Sequence, residues 1–119
     1  MEQEYIKGDI VMYDNKIHTI MDKLELNNYE LSYIEHPVHQ LELSGVPLTP
    51  EILEKNGWKK FKRPYSSDYC YRRKGYTTLN IRSDKEVYFH WGDHDKSITT
   101  VHQLQHLLFG LGLNSEMEV

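Results

Sequence analysis

The sequence predicts an α+β fold: two antiparallel β-meanders, one short internal helix and a C-terminal helix packed on the sheet. Apolar residues alternate with polar ones around turn residues in two sections of the chain. A capped helix lies between them, and leucines recur at helical spacing near the end. A length of 119 residues suits one domain. We expect a single domain over residues 1–119, with a β-meander at 6–46, a helix at 50–56, a second meander at 58–91 and a helix at 100–111.

Two turn signals indicate the first meander. The run of residues 9–20 breaks at Asp14-Asn15-Lys16, and the next run breaks at Asn27-Asn28. Asparagine tolerates the left-handed backbone that tight hairpin turns require. Such a small sheet can curl like an SH3-type barrel, and a further short strand is expected at Gln40–Leu43.

Capping residues locate the internal helix. Thr49 suits the N-cap, Pro50 the first helical position, and Gly57 the left-handed residue that ends the helix. The sequence therefore predicts a helix of about two turns at this point.

The second meander is indicated by strands around Lys74-Gly75 and around Ser83-Asp84-Lys85. In its last strand Val87, Phe89 and Trp91 share one face, so we expect heavy packing on that side. Residues 92–97 are expected to form a polar loop.

The C-terminal helix carries a hydrophobic stripe. At about 100° per residue, the stripe consists of Val101, Leu104, Leu107, Leu108 and Leu111. We expect it to pack on the second sheet. His102, Gln103, His106 and Gly110 fall on the other side, so both histidines are predicted to lie away from the core.

Histidines four positions apart can share a zinc ion. A zinc protease motif would place Glu after the first His, whereas this chain has Gln103, which cannot act as a general base. Further ligands would have to come from the preceding segment, at His90, Asp93, His94 or Asp95. We prefer a solvated helix face or bonds to backbone, and keep a metal-dependent enzyme built on His102, His106, His90 and His94 as an alternative. No cofactor is expected.

Composition bounds the class of protein. The chain is 39% hydrophobic with a net charge of −4, and no apolar run approaches the ~20 residues of a membrane span. The polar N-terminus does not resemble a secretory signal, and a single cysteine forms no internal disulfide, so a cytoplasmic protein that avoids membranes is expected. Cys70, inside a predicted strand, is interpreted as buried rather than nucleophilic.

The charge is unevenly distributed. Residues 59–74, here called the basic segment, carry a net +6, which leaves −10 for the rest of the chain. Cations beside flat rings can neutralise phosphates and stack on bases. The candidate nucleic-acid-binding residues are Lys59, Lys60, Lys62, Arg63, Tyr69, Tyr71, Arg72, Arg73 and Lys74. The alternatives are a charged sheet face with half-buried aromatics, or pairing with an acidic surface of this chain or a partner.

Two stretches resemble motifs of a group of small uncharacterised proteins from Bacteroides and related gut bacteria. The first is "VPLTPEILEKNGW" and the second "VHQLQHLLFGLG". The matching positions are Val46, Pro47, Leu48, Thr49, Glu51, Ile52, Leu53, Lys55, Gly57 and Trp58, then Val101, His102, Gln103, Leu104, Gln105, Leu107 and Phe109. Gly110 departs from the usual alanine, and His106 stands where the pattern often has asparagine.

The resemblance implies a bacterial cytoplasm and a prophage or mobile element, but no activity. It also implies that a two-histidine metal site is not a property of the group, and that His102-Gln103 contacts the body of the fold. Because the sequence assembles no set of acid, base and nucleophile and its charge is strongly bipolar, we expect a non-catalytic binding or adaptor protein with a protein partner, as a monomer or a homodimer. A nucleic-acid-binding accessory protein and a histidine-based metal enzyme are the alternatives.

Overall fold

The structure, a computed structural model, describes residues 5–62, 69–76, 78–81, 87–91 and 94–119, with the side chains of residues 90–95 outside the described part. It confirms the α+β class, with two antiparallel five-stranded sheets and two helices. The chain forms two compact units. The first unit runs up to Pro47 and resumes over Thr100–Glu116; the second comprises Leu48–Thr99 and Met117–Val119. The expectation of a single domain stays a prediction.

The first unit contains a curled sheet in the order β4-β3-β2-β1-β5. Its strands are β1 Ile10–Tyr13, β2 Lys16–Lys23, β3 Asn28–Leu31, β4 Val38–His39 and β5 Ser44–Gly45. Asp14 and Asn15 have φ of 50° and 62°, so the predicted hairpin turn is confirmed. The second left-handed pair is Leu26 and Asn27, one residue earlier than predicted, because Asn28 already pairs with His39.

The predicted strand at Gln40–Leu43 is wrong, because residues Gln40–Glu42 form a 3₁₀ turn. The imidazole Nδ1 of His39 accepts the Leu41 N–H at 3.1 Å, and the Glu42 carboxylate accepts the His39 N–H at 3.1 Å. This reciprocal cap satisfies backbone groups locally and removes them from a strand ladder.

The C-terminal helix, α2, spans Val101–Gly110 and belongs to the first unit, where it packs against β1. Its assignment to the second sheet was therefore wrong. Its buried residues are Val101, His102, Leu104, Gln105 and Leu108. The prediction that both histidines lie away from the core fails for His102, which is 2% exposed. The buried face is rotated toward His102 and Gln105, which leaves Leu107 and Leu111 half-buried.

Polar contacts explain the rotated face of α2. Gln105 Oε1 accepts the Ile10 N–H at 2.8 Å, and its Nε2 donates to the Gly8 carbonyl at 2.9 Å. The side chain thus satisfies backbone groups of the strand entry that would otherwise be buried unpaired. The spacing of apolar residues alone does not indicate that these backbone groups need a polar partner from α2.

The start of α2 lies against β5. The Val101 N–H donates to the Val46 carbonyl at 2.8 Å, and Thr100 Oγ1 caps the helix by accepting the Gln103 N–H. A Cβ at Gly45 would lie 2.5 Å from Thr100 Cγ2 and 3.0 Å from His102 Cε1. Glycine at position 45 therefore sets how closely the helix approaches the sheet.

The second unit contains a sheet in the order β10-β9-β8-β7-β6 and the helix α1, Pro50–Lys55. Its strands are β6 Lys59–Lys62, β7 Tyr69–Arg72, β8 Leu79–Ile81, β9 Val87–Trp91 and β10 His94–Ile98. The polar loop expected at residues 92–97 is wrong over residues 94–97, which belong to β10 and pair with β9. Neither described helix has the length and apolar character needed to cross a membrane.

The caps of α1 are as predicted. Thr49 Oγ1 accepts the Ile52 N–H at 3.2 Å, and Gly57 follows the helix with φ of +90°. The C-terminal tail is bound to the helix end: the Asn56 side chain donates to the Glu118 carbonyl at 2.7 Å and accepts the Glu118 N–H at 2.8 Å. Leu53, Trp58, Tyr71, Leu79 and Ile98 are among the most buried side chains of this unit.

We expect Gly45→Ala to lower the free energy of unfolding by about 1–3 kcal/mol, because the added methyl meets the stiff Thr100 side chain. Gly110→Ala, where a Cβ meets nothing within 4 Å, is the matched control and is expected to raise stability by about 0.5–1 kcal/mol. Urea denaturation of both variants measures the difference. Equal stability of the two would contradict the close approach at Gly45.

Candidate functional site

Strand β6 and the end of strand β7 supply the cations of the candidate site. Strand β6 is the edge strand of the second sheet, and all four of its residues are exposed. Its antiparallel register sets Lys59 opposite Arg72, Phe61 opposite Cys70, Lys60 opposite Tyr71 and Lys62 opposite Tyr69. Opposed residues share a face of the sheet, so the predicted basic segment is divided between two faces.

One face forms a groove of about 380 Å³ lined by Gly57, Lys59, Phe61, Arg72, Arg73 and Lys74; we call it the basic groove. Phe61 is 45% exposed within it, and the Arg72 guanidinium carbon lies 5.2 Å from the ring centroid. Four cationic residues thus line the same groove as one accessible aromatic ring. Phe61 was absent from the predicted set, although its alternation with Lys60 and Lys62 could have indicated a ring on the other face.

Arg73 is held in place by its surroundings. Its guanidinium lies 4.1 Å over the Tyr76 ring, and Tyr76 packs edge-on against the buried Trp58 with ring centroids 5.7 Å apart. Arg73 Nε lies 3.4 Å from the position that a Cβ on Gly57 would take. Because Gly57 has no side chain, there is room beside it for the Arg73 guanidinium, which is oriented by its stacking on Tyr76.

The other face holds the remaining described candidates. Lys60 Nζ lies 4.1 Å over the Tyr69 ring, and Lys62 is exposed beside it. Tyr71 is only 1% exposed, so its ring is part of the core and is not accessible to a ligand. Burial, with Glu54 and Glu51 nearby, raises the pKa of Tyr71. Arg63 lies outside the described residues.

Ion pairing within the described part of the chain leaves the cations of the groove without acidic partners. Among the residues that the structure describes, no carboxylate forms an ion pair with Lys59, Arg72, Arg73 or Lys74. Positive charge without acidic partners attracts polyanions and raises their local concentration. The groove is therefore suited to bind an anionic ligand.

The histidine pair of α2 has a different environment, in the first unit. His106 Nε2 donates to Asp9 Oδ2 at 2.6 Å, and the same oxygen accepts the Ile6 N–H at 2.9 Å. Asp9 is 1% exposed, and this burial raises the pKa of its carboxyl. The hydrogen bonds from Ile6 and His106 lower that pKa, but by less than burial raises it. The hydrogen bond between His106 and Asp9 connects α2 to the residue that precedes β1.

His102 is enclosed beside this pair. Its ring centroid lies 5.0 Å from that of Tyr5 and 5.8 Å from that of His106, and its buried Nδ1 has no hydrogen-bond partner among the residues that the structure describes. Burial, and secondarily His106, lowers the pKa of His102 from 6.5 to about 4. His102 is therefore neutral at physiological pH and behaves as a core side chain.

The metal alternative gains no ligands in the described part of the chain, where no group of three His, Cys, Asp or Glu side chains is placed to hold an ion. The side chains of His90 and His94 lie outside the described residues, so their part in a metal site stays a prediction. Cys70 is buried, as its strand position indicated.

Comparisons with protein-family models, with curated proteins and with solved structures find no match. The resemblance to the Bacteroides group stays a prediction. Function is therefore inferred from the geometry of the groove.

We expect acid to destabilise the protein through His102. An imidazole whose folded pKa is depressed gives its full stability above the unfolded value of 6.5, and that stability is lost as pH falls toward 4, up to about 3 kcal/mol. The raised pKa of Asp9 acts oppositely, since its contribution is present below 3.8 and is lost as pH rises. The difference between wild type and His102→Leu isolates the histidine.

The measurement is urea denaturation of both proteins between pH 7 and pH 4.5. We expect His102→Leu to lose less stability than wild type, and His36→Gln, at an exposed histidine, to follow wild type. A His102→Leu curve parallel to that of wild type would show that the buried imidazole is not responsible.

Proposed function

We propose that this protein is a non-catalytic binding protein that binds nucleic acid through the basic groove. The observation that supports this most is the gathering of four cationic residues, without described acidic partners, in one groove with the exposed Phe61 ring. Guanidinium groups match phosphate oxygens with two parallel hydrogen bonds, and lysines add positive charge. A net charge of −4 does not oppose this, because binding depends on the field at the groove.

The histidines support a non-catalytic function. In the part of the chain that the structure describes, neither His102 nor His106 hydrogen-bonds to a serine, threonine or cysteine that it could activate. A general base must reach the proton that it removes. His106 instead binds Asp9, and His102 is enclosed by Tyr5 and Gly45.

Protein binding is the second candidate, favoured by two apolar side chains at one end of the first sheet. Leu26 and Leu41 are each 84% exposed, and the Gln40 N–H donates to the Asn27 carbonyl at 2.8 Å, which brings their segments together. Exposed apolar side chains gathered in this way are typical of contact surfaces. The curled sheet that presents them is proposed to be of SH3 type.

The proposed setting is the cytoplasm of a bacterium, in a prophage or another mobile element. This part of the proposal depends only on the resemblance of two motifs to the Bacteroides group. An accessory protein of a mobile element encounters nucleic acid in that setting, which agrees with the basic groove.

We expect the double variant Arg72→Ala, Arg73→Ala to bind labelled oligonucleotides at least about tenfold more weakly than wild type, because each guanidinium makes charge-assisted hydrogen bonds. The slope of log affinity against log salt should fall by about 1 for each lost phosphate contact. Fluorescence anisotropy over a series of salt concentrations measures both quantities.

Lys7→Ala, Lys16→Ala is the control, since it removes two exposed cations from the first unit. It is expected to bind like wild type. Undetectable binding at low salt, or equal weakening by the two double variants, would show that the basic groove does not bind nucleic acid.

A further inference from the structure

We infer that the nucleic acid is single-stranded and that one of its bases stacks on the Phe61 ring; the inference rests on the proposed function. The groove joins an accessible ring to flanking cations, and a single strand offers the complementary combination of unstacked bases and phosphates.

The three cation–ring pairs that the structure describes in the second unit are not equivalent. Tyr69 and Tyr76 each carry a cation at 4.1 Å from the ring centroid, whereas Arg72 lies 5.2 Å from that of Phe61. The shorter distance is typical of a closely covered ring, and the longer one is near the ~6 Å limit of this interaction. Phe61 is therefore the ring of the three with space for another flat group.

Phe61 also lies where a large apolar side chain is costly. It is 45% exposed on an edge strand, a position that proteins commonly protect with charged residues. Its strand partner Cys70 is buried, whereas Phe61 keeps nearly half of its surface accessible in the groove. A ligand that covers Phe61 removes apolar surface from water as it neutralises charge.

Duplex nucleic acid does not satisfy this arrangement. Its bases are stacked on one another, so a ring at the side of a groove contacts only sugar and phosphate. The cations contact phosphates in both cases. A groove of about 380 Å³ is near the lower end of ligand pocket volumes, which suits a base rather than the width of a helix.

An acidic peptide could meet the charges and add to the free edge of β6. The oriented Arg73 and the accessible Phe61 favour the nucleic acid, because a peptide carboxylate needs no flat ring beside it. Poly-glutamate is therefore included in the test as a competitor.

The experiment titrates the full-length protein with a labelled single strand and with the same sequence as a duplex, at one low salt concentration. The variants are Phe61→Leu, which removes the flat ring, and Phe61→Tyr, which keeps it. Phe109→Leu, at a 66% exposed aromatic of α2, is the control. Circular dichroism verifies that each variant is folded.

We expect Phe61→Leu to weaken single-strand binding by about 5- to 150-fold with an unchanged salt slope. Phe61→Tyr and Phe109→Leu should bind like wild type, and the duplex should bind more weakly and ignore all three changes. Equal affinity for strand and duplex, or an affinity that depends on Arg72 and Arg73 but not on Phe61, would overturn the inference and leave the proposed function standing. Absence of binding to either form, or displacement by poly-glutamate at equal charge, would overturn both.

Discussion

The antiparallel pairing of β6 with β7 decides which cations lie together. With Lys59 opposite Arg72 and Phe61 opposite Cys70, these side chains share the groove face, and Lys60 and Lys62 are directed to the other. A slip of one residue would exchange the two faces of β6. The slip would place Phe61 on the face of Tyr71 and break up the cluster. The buried β7 residues Cys70 and Tyr71 are fixed by the core, so the core determines the register of the binding face.

The groove shows how a chain with a net negative charge can present a local positive field. The basic segment concentrates positive charge, and the pairing of β6 with β7 divides its side chains between the two faces of the second sheet. Gly57 leaves space for Arg73, and Tyr76 orients its guanidinium. Because stacking on Tyr76 orients Arg73, less conformational entropy is lost when its guanidinium binds a ligand than for a freely rotating side chain.

Features determined by local backbone chemistry could be predicted from the sequence. The Asp14-Asn15 turn and the limits of α1 at Thr49 and Gly57 are examples, because each depends on residues close in the chain. Apolar periodicity does not predict the burial of His102, which accompanies the bond between Gln105 and the Ile10 N–H, 95 residues away. Strand β10 was missed because four of its five residues, those at positions 94–97, are polar, and the strand is defined by its pairing with β9.

The site was predictable in composition but not in geometry. The sequence indicated the basic segment, yet only the register shows that Lys60 and Lys62 leave the groove and that Tyr71 is core. Phe61 was overlooked, although its position between Lys60 and Lys62 places it on the opposite face of a strand.

The most direct test is an NMR titration of the full-length protein with a short single-stranded oligonucleotide. It follows the Nε–Hε signals of Arg72 and Arg73 and the ring signals of Phe61 and Tyr69. The largest shifts should occur at Arg72, Arg73 and Phe61, while the Tyr69 ring, on the other face, changes little. Shifts concentrated on Tyr69 and Lys60, or in the first unit, would contradict the assignment of the groove as the binding face.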